Sequence, residues 1–187
     1  EAMKVKALGL NWTLQFIKGD STTNPRGFDG LQARVTGNQL IAAGSTANGD
    51  ALSLMKLDEL IDQVQNPTHL VMNKTMRRLL TQAARDTTVG GFITTGKDEF
   101  GRQVYYYADL PILIVANDNT DIQIPNFNEA CPGAGTATGT SIYCVSFAEG
   151  MLTGIQNGGI DARDLGELEA KPAYRTRVEW YAGLSCY

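Results

Sequence analysis

The sequence predicts an α+β fold, because two helical periods stand among groups of strand-like runs without the regular alternation of a doubly wound sheet. The first helical period is "SLMKLDELIDQV", residues 53–64, where Leu54, Leu57, Leu60, Ile61 and Val64 recur at helical spacing and Lys56, Asp58, Glu59, Asp62 and Gln63 face away. The second is "KTMRRLLTQAAR", with Met76, Leu79, Leu80 and Ala83 on one face behind a capping Asn73. The third observation is the closing "AYRTRVEWYAGLSCY", residues 173–187. There Arg175, Arg177, Glu179 and Tyr181 alternate with Thr176, Val178 and Trp180, the period of a half-buried strand.

In chain order, residues 4–18 mix apolar and polar positions and read as a short helix running into a strand. "GDSTTNPRGFDG" is a loop by its turn chemistry. "LQARVTGNQLIAAG" reads as short strand segments about a Gly37-Asn38 turn, and "GSTANGD" as another loop. Ser53 caps the first amphipathic helix and Pro67 stops it, since the residue before proline is pushed out of helical geometry. "HLVM" is a short strand leading into the Asn73-capped helix, and "TTVGG" ends that helix. "FITTGKDEFGRQVYYYADLPILIVAND" reads as a hairpin turning near Asp98 to Gly101, then a buried strand from Pro111 to Ala116. Residues 117–140 form a long polar loop, "SIYCVSF" a strand, and "GMLTGIQNGG" and "IDARDLGEL" short strands or turns before the final strand.

A chain of 187 residues suits one medium domain or two small lobes sharing a core. Its 43% hydrophobic and 19% charged content is that of a globular protein. The net charge of −4 argues against a free-standing nucleic-acid binder; the basic residues are dispersed, with Arg77-Arg78 the densest pair. The sequence shows no signal-peptide pattern, and no apolar run reaches the ~18 residues that span a bilayer. Cys131, Cys144 and Cys186 are odd in number and lack metal-type spacing, which reads as free thiols. The sequons at Asn11 and Asn73 are short enough to arise by chance.

The search for chemistry yields no catalytic, cofactor-binding or metal-ligating residues. His69 is the single histidine, so a zinc or non-haem iron site lacks ligands and a hydrolytic triad lacks a Gly-x-Ser-x-Gly elbow. "CPGAGTATGTS" places its third glycine, Gly139, one position late for a dinucleotide loop, and a strand follows it where the fingerprint needs a helix. Asp58, Glu59 and Asp62 lie on a solvated or partner-facing helix surface. Asp161, Asp164, Glu167 and Glu169 mix with Arg163 and Lys171 as exposed ion pairs. Tyr105, Tyr106 and Tyr107 lie on a strand, where alternation buries Tyr106 or else its two neighbours; packing outweighs base stacking in an acidic chain.

Several stretches taken together resemble the major capsid proteins of tailed phages and prophages, of the Hong Kong 97-type fold. "FIKGDSTTNPRGFDGL" is similar to a segment of these coat proteins. "LSLMKLDELIDQV" followed by "PTHLVMNKTMRRLLTQAAR" resembles their spine helix and the strand and helix after it. "GRQVYYYADLPILIVAND" resembles the hairpin of their axial domain, and "TSIYCVSFAEGMLTGIQNGGIDARDLGEL" with "YRTRVEWYAGLSCY" their closing portion. The family usually has Gly two residues before its Pro-Ile pair, whereas Ala108 and Asp109 stand here before Leu110-Pro111. The family also usually has an N-terminal arm and extended loop ahead of this region, so the chain reads as a core fragment. The Lys-Asn crosslink of some relatives has no placement on these residues.

The resemblance implies a peripheral domain of residues 1–66 and 161–187, in which the spine helix lies across a long sheet, and an axial domain of residues 67–160. It implies that the final strand packs its apolar face on the spine helix. It implies no enzymatic activity and no cofactor. Copies of the chain would form the hexamers and pentamers of an icosahedral head, assembled in the bacterial host cytoplasm with scaffold, protease and portal proteins. DNA would be enclosed without sequence-specific binding, and no membrane would be involved. Competing readings are an encapsulin-like compartment shell, a tail or adaptor protein, and an enzyme depending on His69 or Cys144. Under the coat reading, inter-subunit ion pairs fall to Arg175, Arg177, Asp58 or Glu59. Charge reversal at these four positions is expected to impair shell assembly, read as shell yield, more than folding of the subunit; unchanged shell yield counts against those pairs.

Overall fold

A computed structural model describes residues 2–44, 49–85, 93–131 and 136–186 and shows a mixed α+β architecture. Its centre is a five-stranded mixed sheet of β1 (His69–Met72), β2 (Ile93–Lys97), β3 (Gln103–Tyr107), β4 (Leu110–Ile114) and β7 (Tyr143–Val145). The strand order is β2-β3-β4-β1-β7, with β1 parallel to β4 and every other pairing antiparallel. Helices α3 (Leu54–Gln63) and α4 (Lys74–Ala84) cover one face. There Leu57, Met76 and Leu80 pack with Leu70, Met72, Tyr107 and Ile112. The other face carries α1 (Ala2–Lys18), whose Phe16 and Ile17 pack with Val71, Tyr143 and Val145. Leu31 of the short α2 (Leu31–Arg34) joins the same cluster.

Three two-stranded sheets stand apart from this centre. β5 (Glu129–Ala130) pairs with β6 (Thr138–Gly139), β8 (Leu152–Gln156) with β11 (Ala182–Cys186), and β9 (Asp161–Glu167) with β10 (Tyr174–Glu179). Leu152 and Leu184 tie the β8–β11 pair into the α1 cluster.

Most elements follow their local chemistry. Ser53 Oγ accepts the Lys56 N–H, capping α3 as its residue type leads one to expect. Asn73 Oδ1 accepts the Met76 N–H at 2.7 Å. Fully buried Asn73 also donates through Nδ2 to Pro125 O (2.7 Å) and Thr140 Oγ1 (3.0 Å), so all its polar capacity is used inside. That burial leaves its sequon without access. The hairpin turns where expected, with Gly101 N–H donating to Asp98 O. Tyr107 is the buried tyrosine and Tyr105 packs on the same side; the Tyr106 ring lies over Gly96, where a Cβ would meet it at 2.8 Å.

Other elements depart from their local pattern. Residues 2–18 form one helix with no strand, because no neighbouring strand offers hydrogen bonds and Trp12, Phe16 and Ile17 share one helical face. Residues 31–40 form α2 and a 3-10 turn at Gly37–Gln39, not strands; burying Leu31 against α1 decides the conformation. Leu79, expected on the inner face of α4, is 41% exposed. The strand expected over 111–116 spans Leu110–Ile114, and Leu113 and Ile114 are partly exposed. Residues 117–140 are no simple surface loop, since they hold buried Ile124 and Glu129 and the β5–β6 pair. The glycine-rich residues 132–135, the "TTVGG" break and part of "GSTANGD" lie outside the described residues.

The closing stretch divides into two strands with different partners, β10 with β9 and β11 with β8. Its alternation holds from Arg175 to Val178, with Arg175 and Arg177 exposed and Thr176 and Val178 half-buried, and breaks at Glu179, which is half-buried as well. Those half-buried residues do not meet α3. Thr176 and Val178 face Ala7 and Leu8 of α1 across a groove, and Trp180 packs on Trp12. The physical reason is that the apolar side of α3 is already occupied by Leu70, Met72 and Tyr107.

The β3–β4 turn is strained. Its two residues, Ala108 (φ 46°) and Asp109 (φ 64°), are both left-handed, the type I′ geometry that matches strand twist and favours Asn-Gly. Left-handed backbone costs an ordinary L-residue ~1–2 kcal/mol. Replacing Ala108-Asp109 by Asn-Gly is expected to raise unfolding stability by about 1–2 kcal/mol in chemical denaturation. An unchanged or lowered midpoint would show that the turn carries no such strain.

Candidate functional site

Three side-chain clusters dominate the described residues. The first sits where α1 ends. Lys18 Nζ donates to Asn126 Oδ1 at 2.8 Å and lies 4.0 Å from Glu129 Oε1. Glu129 is buried, and Ser141 Oγ donates to its other oxygen at 2.5 Å. Burial, then the Glu129 charge, push the Tyr143 phenol up to about 12. A lysine in the last turn of α1 suits the helix dipole. The cluster can therefore anchor Asn126, Glu129 and Ser141 at the end of α1 by charge and hydrogen bonding. Residue type alone did not reveal it, because Lys18 lies more than 100 residues from its partners in sequence.

The second cluster is a run of rings crossing from the closing strands to β1. Trp180 meets Trp12 at 5.9 Å between centroids, Trp12 stacks on Phe16 at 5.4 Å, Phe16 on Phe147 at 6.4 Å, and Phe147 meets His69 edge-on at 5.2 Å. His69 Nδ1 lies 3.0 Å from Thr68 Oγ1, and burial holds its pKa below the ordinary value. The histidine is thus part of the packing, with the aromatic contacts as its surroundings.

The third cluster is the outer layer formed by α3 and α4. Asp58 accepts the Tyr107 hydroxyl at 2.6 Å; burial first, then Asp58, raise the Tyr107 pKa well above its ordinary value. Lys56 pairs with Glu59 at 2.7 Å. The Arg77 guanidinium lies 5.1 Å over the Tyr105 ring. Of the sequence-selected carboxylates here, Asp58 and Glu59 are engaged within the chain, and Asp62 has no partner among the described residues.

The remaining singled-out residues do not converge on a centre. Cys131 and Cys144 are free thiols, and burial pushes the Cys144 thiol up to about 11, so little thiolate exists near neutral pH. Cys186 is exposed. Arg163 pairs with Asp161 and Arg177 with Glu179, both on the β9–β10 pair, while Asp164 accepts the Gly166 N–H. Arg175, Glu167, Glu169 and Lys171 make no ion pair among the described residues. The groove between α1 and β10 measures about 410 Å³ and is lined by Lys4, Ala7, Leu8, Asn11, Asn119, Thr176 and Val178. A smaller one, about 330 Å³, lies over Leu165, Arg175, Thr176 and Arg177. Among the described residues no group of His, Cys, Asp or Glu is spaced to hold a metal, and no helix is long and apolar enough to cross a membrane.

Comparison with protein-family models, with curated proteins and with solved structures gives no match.

The His69 environment sets a pH dependence. Its pKa is lowered on folding, so below ~6.5 the unfolded chain takes up the proton first. The stabilising contribution of the neutral ring is complete above that value and declines as pH falls below it. Denaturation midpoints at pH 7.5 and 5.0 are expected to fall more steeply for the wild type than for His69→Phe. Equal slopes would show that the ring does not titrate against its packing.

Proposed function

We propose that the chain is a shell subunit, a major capsid protein of the Hong Kong 97-type fold. In this reading it self-assembles into hexamers and pentamers of an icosahedral phage or prophage head. The observation that carries the reading is unspent surface. The chain exposes 12435 Å². A compact monomer of 20.2 kDa exposes roughly 8,750 Å², which leaves roughly 3,700 Å² in excess. A standard interface covers ~800 Å² on each partner, so the surplus suits a subunit touching several neighbours.

The distribution of that surface supports the same reading. Among the described residues the β9–β10 pair has no third strand, and two-stranded pairs are marginal alone. Met55, Phe100 and Tyr174 are each more than 70% exposed and are available to neighbouring copies. Weak contacts suffice in such a lattice, because a closed symmetric assembly multiplies them. An acidic chain encloses DNA without binding it tightly. Assembly would take place in the host cytoplasm, with scaffold, protease and portal proteins as partners and the virion as destination.

Negative-stain electron microscopy and sedimentation of the complete gene product test the reading. Capsomer rings or closed shells of uniform size are expected. A monomer across the accessible concentration range, with any scaffold protein present, would overturn it.

A further inference from the structure

We propose that copies of this chain meet helix to helix, the acidic outer stripe of α3 in one copy against the basic outer stripe of α4 in the next. This inference deepens the shell reading and rests on it. Helix α3 carries Asp58, Glu59 and Asp62 against the single cation Lys56. Helix α4 carries Lys74, Arg77 and Arg78 and no carboxylate. The apolar sides of both helices are spent on the same sheet face; Asp58 and Arg77 reach Tyr107 and Tyr105, while Glu59, Asp62, Lys74 and Arg78 are exposed in the same outer layer.

Each helix also leaves one apolar side chain uncovered. Met55 of α3 is 74% exposed and Leu79 of α4 is 41% exposed. Met55, Glu59 and Asp62 follow the i, i+4, i+7 spacing of one helical side of α3, and Lys74 and Arg78 the i, i+4 spacing of one side of α4. The charges are only partly satisfied within the chain. Lys56 meets Glu59, and Arg78 reaches only the Thr75 hydroxyl, while Asp62 and Lys74 have no partner among the described residues.

The occupant follows from complementarity. Both halves of the pair belong to one chain, so the surface completes itself when copies associate. Opposed potentials orient a specific protein–protein contact, and the exposed Met55 and Leu79 add apolar area to it. The surplus of roughly 3,700 Å² exceeds the ~800 Å² per partner that a standard interface takes. A nucleic acid would satisfy α4 alone and would be repelled by α3, so it accounts for half of the observation.

Two charge-reversed proteins provide the test, Glu59→Lys with Asp62→Lys, and Lys74→Glu with Arg78→Glu. The replaced side chains lie on the outer layer, and matching thermal midpoints verify folding. Sedimentation at low salt is expected to show each variant alone associating at least tenfold more weakly than the wild type. Mixing the two variants, or placing all four changes in one chain, restores association, because opposite stripes face each other again. If the wild type assembles and both variants assemble equally well, the pairing is overturned while the shell reading stands. Loss of association in the α4 variant alone, or failure of the mixture to recover, also overturns the pairing. A wild type that never associates overturns both.

Discussion

The structure depends on four residues, His69–Met72. This strand pairs with β4 on one side and β7 on the other, and it sends side chains into both apolar clusters. Leu70 and Met72 face α3 and α4, while Val71 faces α1. A strand covered on both faces reads as an unbroken apolar run, which is what "HLVM" is after its first residue. Asn73 closes it. One side chain ends the strand, starts α4 and holds residues 125 and 140, so the order of the chain here leaves little freedom to its neighbours. Leaving any of these buried amide bonds unmade would cost ~1–3 kcal/mol.

The α1 side of the sheet is held by different physics. Its aromatic run joins parts of the chain that are remote in sequence, from Trp180 through Trp12 and Phe16 to His69. Each well-placed ring pair adds ~0.5–1.5 kcal/mol beyond the area it buries. The Lys18–Asn126–Glu129 contacts then fix Asn126 and Glu129 against the end of the same helix. Gly19 allows the chain to fold back at that point, since a Cβ there would lie 2.2 Å from Phe28 O. Arg34 donates to Asp29 O and to Leu184 O, linking α2 to the last strand. Both chain-terminal regions are therefore secured on the same side.

What remains outside these two clusters is surface. The outer helix layer, the β9–β10 pair and the grooves beside them bury little within one copy. A chain whose core is small for its length gains stability by association, because area buried between copies contributes like area buried within one. On the shell reading, folding needs only the sheet and its two covers, and the remaining surface is completed by neighbours.

The sequence by itself determined the α+β class, both amphipathic helices with their Ser53 and Asn73 caps, the "HLVM" strand and the hairpin turning at Asp98–Gly101. These features are local: periodicity, capping chemistry and turn residues act within a few positions of one another. Tertiary structure alone decided that residues 4–18 are wholly helical, that residues 31–40 avoid strand geometry, and that the closing stretch divides between β9 and β8 as partners. It alone brought Lys18 to Asn126 and Trp12 to Trp180, and it turned the final strand toward α1 instead of α3. The physical reason is range. A mixed local pattern is resolved by whichever long-range surface buries its apolar side, and a one-dimensional pattern holds no record of which surface that is.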